Sequence, residues 1–332
     1  MQDEALVKRH ARSLRITQII LLTGFAANAA NLHSQSFAQR PIRLIVGSSA
    51  GGGGDGVARV TAAKLASALG QSVVVDNRPG AAGNIGTEIV ARAAPDGYTL
   101  LFAAAPLALN NALGVKQPYD VLSDLVPISL VVTTPVIIAV NTASPYRKLK
   151  DIVDASRADS KGINYATAGV GSMPHLLGEA FRIKSTANLT HIGYKGSAPA
   201  LQDVMGGSVP VMMDAYTPAG VQVAAGKLRG IAVASPKRLP SLPDVPTTGE
   251  EGYPDIVGEA FYGLLAPAGT PQAIIDKLHA ATVAVVRDPE VRDRLTQQGY
   301  NLVAGTPAEY TAHMRREITR WTAIVKAAGI QP

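Results

Sequence analysis

The sequence predicts an α/β protein of two domains built on mostly parallel sheets with flanking helices. Three observations carry this. Short β-branched runs alternate with helical runs along most of the 332 residues, the pattern of strands joined by crossover helices. Two strand–small-residue-loop–helix units recur roughly 120 residues apart, at residues 41–59 and 162–183. A hydrophobic content of 47% supports a full core, and 17% charged residues is too few for a disordered chain.

The chain opens with an export signal. Lys8, Arg9, Arg12 and Arg15 form a basic region, and residues 16–30 form an apolar run too short and too interrupted for a membrane span. Ser36-Phe37-Ala38 fits a small-x-small cleavage pattern. Residues 1–38 therefore read as a signal peptide cleaved near Ala38, which places the protein in the periplasm. The net charge of +6 falls to about +4 on residues 39–332, with scattered basic residues and 5% aromatics. That balance excludes nucleic acid as a partner. With no cysteine there is no disulfide, thiolate metal site or cysteine nucleophile.

Residues 42–46 form the first strand, and the small residues Ser48, Ser49, Ala50, Gly51, Gly52, Gly53 and Gly54 follow. Asp55 then opens a helix as its N-cap, ending near Gly70. A loop of this kind leaves N–H groups unpaired beside the positive end of a helix dipole, which suits an anion. Residues 72–75 form a strand, 76–80 a turn, 83–94 a helix, and 98–103 a strand that ends at Ala103-Ala104-Ala105. A helix follows from Leu107. Residues 131–140 are apolar around Pro135, 141–145 cross between domains, and 148–157 are helical.

The second unit repeats the first. A strand at 162–166 leads into the loop Thr167, Ala168, Gly169, Val170, Gly171 and Ser172, and a helix at 174–183 carries His175 one turn in. His175 can either face the cleft or pair with the loop. Strands at 189–193, 209–214 and 228–234 alternate with helices at 199–205 and 218–225. Asp214 sits at the carboxyl end of its strand, where such folds bind ligands, and is assigned to a ligand amine or hydroxyl. Residues 236–254 are a proline-rich loop, 261–266 a strand that crosses back, and 271–287, 289–298 and 307–328 are helices with proline near each start.

Other motifs compete for the first loop. Gly51, Gly53 and Gly56 with Asp76 fit the dinucleotide fingerprint, but Ser48-Ser49-Ala50 separates the strand from the first glycine, where a tight turn is needed. Gly47-Ser48-Ser49-Ala50-Gly51 fits a nucleophile elbow, with Ser49 as nucleophile. The triad would then need His279 or His313 after Asp214, and both lie in amphipathic helices. No histidine pair has metal-site spacing, so no metal or other cofactor is expected.

Ordered matches along the chain resemble a known family. They include residues 41–46, Asp55 with Ala58-Arg59, residues 75–81, Asn84-Ile85-Gly86 and residues 93–100. Asn164-Tyr165-Ala166, Gly171-Ser172 with His175-Leu176, and Tyr194-Lys195-Gly196 follow. Residues 226–229, 242–247 and 266–271, with Trp321, complete the set. The chain resembles the extracytoplasmic solute receptors of tripartite tricarboxylate transporters, the Bug-type receptors.

The resemblance implies a two-domain periplasmic binding fold of the Venus-flytrap kind. Residues 39–140 and 260–332 would form domain I, and 141–259 domain II. It also implies a carboxylate held between the two glycine-rich loops, and no catalysis. The expected partners are a small organic carboxylate (a di- or tricarboxylate, an amino acid or an aromatic acid) and either transporter subunits or a sensor. A monomer is expected. The chain departs from the family's usual pattern at Ser48-Ser49, where Phe-Pro is common, at Gly54, where Thr is common, and at residues 103–105, where a serine-rich loop is common. These departures predict a larger or less selective pocket.

Overall fold

The computed structural model describes Phe37 and residues 39–51 and 53–331. Residues 1–36 and Ala38 of the expected signal peptide, and with them its cleavage site, lie outside the described residues, as do Gly52 and Pro332.

The first sheet grows from β1 (Ile42–Val46), five residues of which all but Arg43 are apolar and buried. It pairs in parallel with β2 (Val73–Asn77) and β3 (Thr99–Ala104). Helix α1 (Gly53–Leu69) crosses between β1 and β2, and lays Val57, Ala58, Ala62 and Leu65 on the core beneath. Helix α2 (Asn84–Ala91) joins β2 to β3, and α3 (Pro106–Ala112) follows β3.

A single strand of 17 residues, β4 (Leu125–Asn141), links the two halves of the molecule. Residues 126–140 carry no charge and are buried almost throughout, which is what a strand covered on both faces requires. Its first part pairs antiparallel with β9 (Glu259–Pro267) and β10 (Asn301–Gly305). From Val136 onward it pairs antiparallel with β7 (Val211–Ala215) and β8 (Leu228–Val233). Pro135 sits where the partners change, so its missing N–H interrupts neither ladder. Val136 N–H reaches Gly258 O at 2.9 Å, and Ala234 N–H reaches Val136 O at 2.8 Å.

The second half repeats the plan of the first. Helix α4 (Leu149–Ala158) leads to β5 (Ile163–Thr167), which pairs in parallel with β6 (Leu189–Gly193) and β7. Helix α5 (Met173–Ser185) joins β5 to β6, and α6 (Ser197–Met205) joins β6 to β7. Together the described strands form one ten-stranded sheet in the order β2-β1-β3-β9-β4-β7-β5-β6, with β8 and β10 also on β4.

The C-terminal segment folds back on the first half. Helices α8 (Gln272–Arg287) and α9 (Pro289–Gln297) precede β10, and α10 (Pro307–Ala328) follows it. Helix α10 is started by a capping box between Thr306 and Glu309. It packs on α3 and β4 and also reaches α5, with Trp321 wholly buried. The last helix therefore touches both halves.

The α/β class and the two strand–loop–helix units are as expected, and four features differ in detail. Pairing is mixed: the pairs that carry the glycine-rich loops are parallel, and every antiparallel pair among the described strands involves β4 or β9. The crossing expected at 141–145 is made inside β4, whose pairing changes at 135–136. The helix expected at 218–225 is a wide turn over Tyr216–Gly220 running into the short α7 (Val221–Ala224). Strand β10 was hidden in sequence because five residues after a glycine turn carry too little periodicity.

Candidate functional site

The first loop is held by side chains from two elements, α1 and β2. Asp55 lies in the first turn of α1, not ahead of it, so the N-cap expectation is corrected. The helix already starts at Gly53, and the carboxylate turns back to the loop. Its Oδ2 accepts Gly51 N–H at 2.9 Å and Arg59 Nε at 2.9 Å, and its Oδ1 accepts Asn77 Nδ2 at 3.0 Å. Asn77 Nδ2 also reaches Ser48 O at 3.0 Å. Arg59 holds the Asp55 carboxyl below the ordinary carboxylate range, against the cost of burying it. With Gly51 occupied in this way, Ser48, Ser49 and Ala50 present N–H groups that meet no acceptor among the described residues.

The second loop is organised from behind by a polar stack. Thr167 Oγ1 accepts Gly169 N–H at 3.2 Å and lies 2.7 Å from His191 Nε2. His175 Nδ1 accepts Gly171 N–H at 3.0 Å, and its ring stacks on His191 with centroids 3.8 Å apart. Ser172 caps α5 through His175 N–H, and its hydroxyl donates to Gly169 O at 2.6 Å. Burial lowers the pKa of His175, with Glu179 opposing. Burial and the neighbouring His175 push His191 down to about 4. Both rings are therefore neutral near pH 7, which leaves His175 Nδ1 free to accept. Of the two roles open for His175, the structure shows the loop-holding one. Ala168 and Val170 keep N–H groups with no acceptor among the described residues.

Two adjoining cavities receive these loops. One, of about 300 Å³, lies in the first half and is lined by Ser48, Ser49, Gly54, Ala104, Phe102 and Tyr262 together with the turn at residues 79–84. The other, of about 470 Å³, lies between the halves, with Pro106, Leu109 and Leu113 on one side and Ala168, Gly169, Gly171 and Ser172 on the other. Ala82 and Pro106 line both. Among the described residues no Asp, Glu, Lys or Arg lines either cavity, so an anion there would be met by N–H groups and helix ends rather than by a cation.

Of the expected residues, Ser48, Ser49, Gly54 and Ala104 thus border the first cavity, and Ala168, Gly169, Gly171 and Ser172 the second. Ala50 lies on the exposed side of its loop, and Gly51 is exposed and bonded to Asp55. Gly53 begins α1. Thr167, His175 and Asp214 line neither cavity. Asp214 is 2% exposed; its Oδ1 accepts Ala215 N–H at 2.8 Å while Oδ2 has no partner. Burial pushes its carboxyl up to about 6, with Ser197 and the Ala215 N–H opposing.

Two parts of the site escaped sequence reasoning. Tyr262 comes from β9, more than 200 residues from the loop it faces, and stacks on Phe102 with centroids 6.1 Å apart. The turn after β2 carries four successive positive φ values, 127° at Gly80, 46° at Ala81, 51° at Ala82 and 90° at Gly83. Two of these residues are alanines, which store strain there. Hydrogen bonds hold the turn in place: Gly83 N–H to Gly80 O at 3.0 Å, Asn110 Nδ2 to Ala82 O at 3.1 Å, and Thr87 Oγ1 to Gly83 O at 3.0 Å. The glycines of 80–86 were the available signal, since Gly86 and Gly47 meet so closely that a Cβ on Gly86 would lie 3.1 Å from Gly47 Cα.

The competing motifs fail on geometry. Both Asp76 oxygens are taken by Arg43 and Arg78, so no acid is left for a ribose. Among the described residues Ser49 has no histidine partner: His279 Nδ1 lies 3.1 Å from Ile128 O, and His313 packs edge-on against Phe261 at 4.8 Å.

The sequence matches the tripartite tricarboxylate transporter family receptor over residues 57–330. It is 36% identical to the protein BugT of Bordetella pertussis over 320 residues, 96% of this chain and 98% of that one. The periplasmic binding protein BugD has a similar structure, with a TM-score of 0.75 and 35% identity over 89% of this chain and 99% of that one. Rpa4515 of R. palustris, solved with adipate, gives a TM-score of 0.79 and 31% identity over 90% of this chain and all of that one.

Proposed function

The chain belongs to the tripartite tricarboxylate transporter receptor family, and from that premise we propose that it captures a small organic carboxylate between its two halves in the periplasm and presents it to membrane transporter subunits. One observation carries the reading. Each half aims unpaired N–H groups and the N-terminus of a helix of at least 13 residues, α1 or α5, at adjoining cavities that lack a charged side chain. The receptors of the family are not enzymes, and among the described residues Ser49 has no hydrogen-bonded histidine. No helix among the described residues is long and apolar enough to cross a membrane.

The carboxylate would take N–H groups of Ser48 and Ser49 from one loop and of Ala168 and Val170 from the other. Each helix end contributes about 0.3–1 kcal/mol, rising to about 2 when partly buried. Each charge-assisted hydrogen bond contributes about 1.5–3 kcal/mol. Residues 39–140 with 260–332, and 141–259, would move as two domains. The hinge would lie where β4 changes partners at Pro135–Val136 and where β9 begins at Glu259. Only the closed form satisfies the anion from both sides, so the ligand draws the population toward closure. The receptor would act as a monomer.

A thermal-shift screen against mono-, di- and tricarboxylates and amino acids tests this. A ligand at 100 times its Kd stabilises by about 2.7 kcal/mol. A screen in which no carboxylate raises Tm sinks the reading.

A further inference from the structure

We infer that Asn84 selects the ligand's second polar group: its Nδ2 donates to an acceptor oxygen that the ligand carries apart from the carboxylate held between the loops. The inference rests on the carboxylate reading and deepens it. Asn84 opens α2 and lines the cavity of about 300 Å³ in the first half, yet it is only 7% exposed. A buried amide ordinarily has both its ends matched. Here one end is crowded and the other is empty.

The orientation of the amide follows from its neighbours. The carbonyl of Ala82 can only accept, so the atom that Asn110 turns toward it, at 3.1 Å, is Nδ2. That same Nδ2 stands 2.9 Å from the Asn84 side chain, whose facing atom must therefore be the acceptor Oδ1. Tyr119 Oη at 2.7 Å and Gln117 Nε2 at 3.1 Å donate to it as well. With Oδ1 pinned, Nδ2 points away from these donors. It meets no acceptor among the described residues and opens on the cavity. The left-handed turn at Ala81 and Ala82 presents the carbonyl that starts this chain of hydrogen bonds, which gives its strain a use.

The start of α2 favours an acceptor at the same point. Gly83 precedes the helix at φ 90° and supplies no side-chain cap, so the positive end of the helix is left uncovered. Ser48, Ser49 and Tyr262 bring hydroxyls to the same cavity, and Gly54 keeps it open beneath Tyr262, since a Cβ there would stand 2.9 Å from Tyr262 Cε1. A hydroxyl turns to donate or accept as its partner requires, whereas an amide nitrogen can only donate. Asn84 is therefore the group that tells an acceptor oxygen from an amine or a methyl. A ligand that buries it unmatched is rejected.

Calorimetric titration of the intact protein with acids of equal chain length tests this. Succinate is set against butyrate and γ-aminobutyrate, adipate against hexanoate and ε-aminocaproate, and levulinate against pentanoate. In at least one set the acceptor-bearing acid should bind about tenfold or more tighter than its methyl-ended and amine-ended counterparts. Asn84→Asp keeps an oxygen for Asn110, Gln117 and Tyr119 and replaces the donor by an acceptor, with three donors and the helix start holding it ionised. With its far-ultraviolet spectrum unchanged, this variant should bind that acid about tenfold or more weaker, leave the methyl-ended acid within about threefold, and bind an amine-ended acid tighter than wild type does. An equal loss for every acid overturns the inference, because a merely structural role would act on all alike. An acceptor-bearing acid that never outbinds its counterparts also overturns it and leaves the carboxylate receptor standing. Binding of no acid at all overturns both. Should the variant misfold, the wild-type ranking decides.

Discussion

The carboxylate of Asp55 accepts the backbone N–H of Gly51 at 2.9 Å, four residues earlier in the chain. The same group holds Arg59 and Asn77, and Asn77 holds the carbonyl of Ser48. The loop after β1 is thus shaped by the Asp55 side chain, both of whose oxygens are taken by protein donors.

Asp55→Ala removes the acceptor for all three donors. Leaving such donors unmatched costs about 1–3 kcal/mol, read as a lower urea midpoint, and the loosened loop should bind carboxylates more weakly. The Asp55 pKa is lowered in the fold, so its contribution is present above the ordinary carboxylate value and is lost as pH falls through the depressed one. The stability difference between wild type and Asp55→Ala should therefore shrink in acid. An unchanged difference from pH 7 to pH 2 contradicts the assignment.

His191 titrates in the opposite part of the argument. Its pKa falls from 6.5 to about 4 on folding, so between these values the unfolded chain binds the extra proton. The fold is fully stabilised above about pH 6.5 and loses that contribution as pH drops to about 4. His191→Gln should flatten the dependence of Tm on pH in this window. Parallel curves for the two proteins would show that the stacked ring does not titrate as inferred.

Asp214 has the reverse sign. Its pKa rises from 3.8 to about 6, so folding penalises the ionised form. The penalty is complete above about pH 6 and gone below about pH 4. Asp214→Asn should gain stability relative to wild type at pH 7 and lose that advantage at pH 3.5, measured by urea titration at each pH.

Gly299 lies against Tyr216, across the seam between the halves. A Cβ there would fall 1.8 Å from Tyr216 Cδ1, at a residue with φ +79°, and Tyr216 is buried. Gly299→Ala combines left-handed strain of about 1–2 kcal/mol with overpacking of about 1–3 kcal/mol. Gly329→Ala, at φ +68° with nothing within 4 Å, should show the strain alone. Equal losses for the two variants would mean that the Tyr216 ring swings away freely.

Much of the site was legible in sequence. The run of small residues after β1 and the Thr167–Ser172 loop were visible because strand, loop and helix are contiguous, and their periodicities differ. The capped starts of α5 and α10 were signalled by serine or threonine ahead of proline. Asp55 was placed at the N-cap of its helix, but the register was missed: a glycine-rich helix start has no apolar period to mark its first residue. Tyr262 was read only as part of a strand, because nothing local distinguishes a cavity wall from a core position.

The sequence by itself determined the α/β class, the family and the two strand–loop–helix units. Each depends on neighbours within a few residues or on ordered short motifs. Only the tertiary structure decided which loop N–H groups remain unpaired, that His175 faces its own loop, that β4 runs unbroken through both halves, and that Gly54 opens room beneath Tyr262. Those outcomes depend on contacts between residues far apart in the chain, such as 48 with 77 and 54 with 262. Hydrogen-bond satisfaction and cavity volume are properties of that packing and leave no local period to read.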